Sequence, residues 1–115
     1  MTRGGVSMDC IFCKIRDRII PKDFTYEDED VMVFPDINPL KSVHLLIVPK
    51  KHMPDFLDLE DNILSDRINK TIKVMVKKFE LEDKGYRIVV NGGGAQIIDH
   101  LHFHLLGPLG KAVKM

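Results

Sequence analysis

The chain has 115 residues, 44% hydrophobic and 30% charged, with a formal net charge of zero. That is enough chain for one core and too little for two, in the proportions of a folded globular protein rather than a disordered one. Balanced charge gives no ground for a nucleic-acid or membrane-surface partner, and no apolar run approaches the roughly 20 residues of a membrane span.

Residues 1–9 contain no apolar h-region, so they read as a flexible leader rather than a signal peptide, and residues 10–115 as one domain in a cytoplasmic protein. From Cys10 the chain can form one short helical turn, which should end by Pro21. Phe24–Glu27 and Val31–Phe34 read as extended pieces joined by an acidic turn, Asp28-Glu29-Asp30. His44–Lys50 is a continuous apolar run of strand length, the pattern of a strand buried on both faces. After Pro54 the period changes. Leu64, Ile68, Ile72, Met75, Val76 and Phe79 recur at three and four, predicting an amphipathic helix over 59–80 with Asp58 as its cap. Tyr86–Asn91 is a strand, Gly92-Gly93-Gly94-Ala95 a turn, and 97–106 the last strand. The sum is an α+β domain with about five mostly antiparallel strands, one long helix and a short N-terminal helix.

That last strand contains "HLHFHLL". His100, His102 and His104 alternate with Leu101, Phe103 and Leu105, so the imidazoles leave one face and the apolar side chains the other. Neighbouring same-face residues stand roughly 6.6 Å apart, which lets two rings meet one ion but strains three. Chemistry suits the row better. A neutral imidazole is a nucleophile at neutral pH, and a neighbouring ring can steady a phosphoryl oxygen.

"HLHFHLL" resembles the His-x-His-x-His signature of the histidine triad (HIT) family. "CIFCKI", "VFPDINPLKSVHLLIVPKKH" and "GYRIVVNGGGAQ" resemble its other blocks, in order, over nearly the whole chain. The resemblance implies a homodimer that continues its sheet across the partner, and a metal-independent hydrolase or nucleotidyl transferase. Its substrates would be purine nucleoside phosphoramidates or related adenylates, such as an AMP derivative. By position His102 would be the nucleophile, transiently nucleotidylated, with His104 on the α-phosphate and His44 supporting the rings. Phe12, Ile15, Phe34, Ile37 and Leu46 match base-contacting positions, Asp36 a ribose acceptor, and Asn91 and Gln96 polar positions near the phosphate. Dinucleoside polyphosphate hydrolysis and nucleotide binding with little turnover are the alternatives.

Two features sharpen the reading. Where the family commonly carries a hydroxyl after the glutamine, this chain has Ile97. A lost hydrogen bond to a charged group is worth roughly 1.5–3 kcal/mol, ten- to a hundredfold in rate. Cys10-x-x-Cys13 has a chelating spacing, weak evidence by itself. The resemblance implies that His52 and His100 complete a structural zinc site with this pair, leaving His102 and His104 for chemistry. Two free thiols are the alternative.

Overall fold

The computed structural model describes residues 9–115; the expected leader otherwise lies outside them. Five strands form one antiparallel sheet. They are β1 (Tyr26–Glu27), β2 (Val31–Pro35), β3 (Val43–Pro49), β4 (Arg87–Val90) and β5 (Phe103–Gly107), in the order β1-β2-β3-β5-β4. A short helix, α1 (Ile11–Arg16), precedes the sheet, and a long one, α2 (Asn62–Lys78), joins β3 to β4. Among the described residues no helix is long and apolar enough to cross a membrane.

Alternation along the strands decides which face meets which helix. Val31, Val33, Leu45, Ile47, Phe103 and Leu105 pack with Leu64, Ile68, Ile72 and Met75 of α2. Met32, Phe34, Leu46 and Val48 turn the other way, against Phe12, Cys13 and Ile15 of α1. β3 lies in the middle and is buried on both faces from His44 to Pro49, as its unbroken apolar run predicts.

The strands before α2, and β4 after it, keep their expected places to within two residues at each end, while both ends of α2 and the start of the last strand differ in ways that matter here. The helix begins at Asn62, capped by Asp61, whose Oδ1 accepts from the Ile63 and Leu64 amides at 2.9 and 3.2 Å. Asp58, the expected cap, instead sits in a 3₁₀ turn (Phe56–Asp58) and accepts from the Asp55 amide at 2.9 Å. Several carboxylates in 55–61 are competent caps, and the apolar period does not choose among them. The helix also ends two residues short of Glu80, through backbone hydrogen bonds from Glu80 to Lys77 and from Leu81 to Val76.

The last strand is the larger correction. Its ladder starts at Phe103, not at Ile97. β3 ends at Pro49, which has no amide hydrogen to donate. Across from it the Leu101 amide bonds to the Met53 carbonyl at 2.7 Å and the His100 amide to the Ile98 carbonyl at 2.8 Å. The backbone of 100–102 keeps the alternation of faces but leaves the ladder. His100 is thereby released from the row.

A histidine cleft beside a candidate metal centre

The three histidines serve two sites. His100 is fully buried beneath α1. Its Nδ1 lies 3.3 Å from Cys10 Sγ, 3.6 Å from Cys13 Sγ and 3.1 Å from His52 Nδ1, and Cys13 Sγ lies 3.3 Å from His52 Nδ1. Ligand atoms held tetrahedrally at about 2.0–2.3 Å stand about 3.3–3.8 Å apart, so the four atoms already approximate such a cage. The protonation states suit it too. His100 Nε2 donates to the Pro49 carbonyl at 2.7 Å, which leaves the Nδ1 lone pair facing the thiols. Burial, above all, lowers the His100 pKa to about 4. His52 is lowered by burial first, then by the Arg16 guanidinium, with Asp99 opposing. Both rings are therefore neutral, as ligands must be. Burial pushes the Cys10 thiol up to about 11, a penalty that a cation would reverse. The residues fit a metal ion, and Cys10, Cys13, His52 and His100 form an arrangement that could hold one.

His102 and His104 open onto a cleft of about 460 Å³ between α1 and the sheet. The register explains its floor: Phe34 pairs with Leu46 and Leu46 with His104, so all three share the α1 face. Phe12 packs edge-on against Phe34 and His102, with ring centroids 5.7 and 5.2 Å away. Phe12, Ile15, Phe34 and Leu46 line the cleft while belonging to the core, so packing and lining are one role here. Ile37, 82% exposed, forms its lip, with Asp36 and Asn91 on the walls.

Hydrogen bonds assign the tautomers. His102 Nδ1 lies 2.8 Å from the His100 carbonyl, which can only accept, so the proton is on Nδ1 and Nε2 carries a free lone pair. Behind it the Leu40 amide donates to His44 Nδ1 at 3.0 Å. His44 must then carry its proton on Nε2, which points at His104 Nδ1 2.9 Å away. His104 accepts there and carries its own proton on Nε2. Asp36 Oδ2 stands beside this contact, 3.4 Å from His44 Nε2 and 3.9 Å from His104 Nδ1. These three groups are close enough for a second metal, but the Leu40 amide keeps a proton on the nitrogen an ion would need. Burial lowers the His104 pKa most, then His102 and His44; Asp36 opposes them.

One expected contact stands elsewhere. Gln96 does not line the cleft; its amide donates to the Pro54 carbonyl at 2.9 Å and accepts from the Gly94 amide at 3.0 Å. With Asp55, which accepts from the Gly93 amide at 2.7 Å, it laces the glycine turn to the segment after β3. His44 is buried behind His104, 2.9 Å from its Nδ1, in reach of the rings it was expected to support. Ile97, 98% exposed, lines the cleft with its hydrocarbon free. Sequence reasoning missed the backbone groups of Leu40, Pro49 and His100, since carbonyls and amides carry no residue-type signal. It also missed Ile20, Lys22 and Ile98, which line the cleft; the Lys22 ammonium lies 5.3 Å above the Phe34 ring.

Comparisons with known proteins find relatives in sequence and in fold. A HIT-like protein of Chlamydia muridarum is 43% identical over 110 residues, 92% of this chain and 86% of its own. The structure of a HIT family hydrolase from Clostridium thermocellum superposes with a TM-score of 0.86 at 37% identity, covering 96% of this chain and 99% of that one. A histidine triad nucleotide-binding protein from Candida albicans matches with a TM-score of 0.76 at 37% identity, covering 84% and 73%. Residues 17–110 match the HIT domain itself, and the chain belongs to the HIT domain family.

Proposed function

We propose that the chain is a nucleotide hydrolase acting on purine nucleoside phosphoramidates or related adenylates. The observation that carries this is the free Nε2 lone pair of His102, set in an apolar cleft by the hydrogen bond from its Nδ1 to the His100 carbonyl. Phe12, Ile15, Phe34, Ile37 and Leu46 would sandwich the base, and Asp36 would accept from the ribose hydroxyls. His102 Nε2 attacks the α-phosphorus, a nitrogen–phosphorus bond forms, and the bond to the leaving group breaks as that group takes a proton. His104, with its proton on Nε2, donates to a phosphoryl oxygen whose charge grows in the transition state. Asn91 stands at the same mouth. Water then displaces His102 and releases the nucleoside monophosphate. Similarity to a HIT family hydrolase and to a nucleotide-binding relative supports both halves of the reading.

Zinc is the ion we propose for the Cys10, Cys13, His52 and His100 cage, in a structural role. Bound there it would neutralise the thiolates and pin α1 to the sheet, which also sets the Phe12 wall and the His100 carbonyl. Elemental analysis reads it directly, with Cys10→Ser losing the metal.

The deciding assay follows amine release from an adenosine phosphoramidate. His102→Ala should lose activity by on the order of a thousandfold or more. Equal rates in the two proteins would overturn the reading. Ile97 favours a second one, nucleotide binding with little turnover, because a bare hydrocarbon stands where a phosphate donor is expected. AMP binding without amine release would select it.

A further inference from the structure

The contact between His44 and His104 has a constraint that their neutral forms hide. In the neutral pair a single hydrogen lies between the rings, from His44 Nε2 to His104 Nδ1 over 2.9 Å. A second proton on the pair would place an N–H on both facing nitrogens. His44 cannot move its proton to Nδ1, because the Leu40 amide already donates there at 3.0 Å. One of the two facing N–H groups must therefore find another acceptor. Asp36 Oδ2 stands beside them at 3.4 and 3.9 Å, and Asp36 is aimed by two backbone contacts: its amide bonds to the His44 carbonyl at 2.9 Å, and its Oδ1 accepts from the Asn38 amide at 2.8 Å.

We infer that Asp36 is the counter-ion that lets the His44–His104 pair hold a proton, and that the ribose it is proposed to bind draws on the same carboxylate. This rests on the function proposed above for its catalytic consequence, though not for its physical basis. A leaving amine departs only as it takes a proton, and a protonated pair beside the phosphorus is a store for one. Ribose hydroxyls donating to Asp36 would spread its charge and loosen that store, so nucleotide binding would push the proton outward, toward the cleft. The groups facing the pair agree with this assignment. His102 on the same segment and the His44 ring oppose a charge on His104, Val89 and Asn91 from the β4 side carry none, and among the described residues Asp36 is the group favouring it. Lys22, the remaining charged residue in the cleft, lies over Phe34.

Asp36 is thus a positioning residue as well as a nucleotide contact, and the two roles separate in one set of measurements. Histidine ring resonances of the ligand-free protein are followed against pH by NMR in wild type and Asp36→Asn. The His104 titration should fall by about one pH unit in the variant, a tenfold change in proton affinity. An unshifted titration overturns the inference, whatever the enzyme does. Turnover is then measured with an adenosine phosphoramidate and its 2′,3′-dideoxy analogue. A ribose contact alone predicts that Asp36→Asn leaves turnover of the dideoxy substrate unchanged, which would also overturn the inference. A proton-holding role predicts a roughly tenfold lower kcat with that substrate too, at little change in KM. Should wild type turn over neither substrate, the proposed function fails while the NMR titration still decides for or against the proton store.

Discussion

His100 illustrates how one residue type takes its role from burial. By alternation alone the three histidines are equivalent, yet His100 is fully buried and its pKa is lowered to about 4 from 6.5. The unfolded chain takes up a proton at this ring below about pH 6.5, and the metal-free folded chain does not until about pH 4. Its stability should therefore fall as the pH drops through that window, by about 3 kcal/mol. Urea unfolding of chelator-treated protein at pH 7 and pH 4.5, compared with His100→Gln, checks this. The variant should lose less across the interval, and equal losses would refute the assignment. The free Nε2 of His102 and the fixed tautomers of His44 and His104 come from partners no side-chain pattern discloses, namely the His100 carbonyl and the Leu40 amide.

At the scale of elements, period served well in the interiors and poorly at the ends. The apolar stripe from Leu64 to Val76 is the buried face of α2, and the alternation of β2 and β3 sorts their side chains onto two faces. The C-terminus of α2 closes with Glu80 at φ 56°, between the Glu80–Lys77 and Leu81–Val76 backbone bonds, with Leu81 buried behind it. This is a Schellman closure with glutamate where glycine is preferred. Glu80→Gly removes the side-chain clash of a left-handed backbone and should stabilise the protein by about 1 kcal/mol. The denaturation midpoint would rise with an unchanged m-value; a lower midpoint would mean that the entropy lost on fixing glycine dominates. The early start expected for the last strand failed for a different reason: hydrogen-bond partners, not side-chain alternation, define a ladder, and Pro49 has no donor to give.

At the scale of the molecule, the sheet order among the described residues leaves β4 with an unpaired edge, four residues long, bearing the half-exposed Ile88. Such an edge is a template for a second strand. We propose that the homodimer implied by the family resemblance would use it, by two-fold pairing of β4 with its copy. Sedimentation velocity should report the mass of two chains, and Ile88→Lys should return one chain with an unaltered far-UV spectrum; a wild-type monomer at micromolar concentration would remove the proposal. The α+β class, the helix stripe and the buried central strand were legible in the linear order, because periodicity is a local property; the HIT family and the Cys10, Cys13, His52 and His100 group, which could hold a metal, came from the resemblance of whole blocks. The family resemblance set His100 apart in expectation, but the tertiary structure is what divided the histidines. It did so because Pro49 ends the ladder, which frees His100 to reach the thiols beneath α1, while His104 stays in register with Leu46 and meets a histidine sixty residues away.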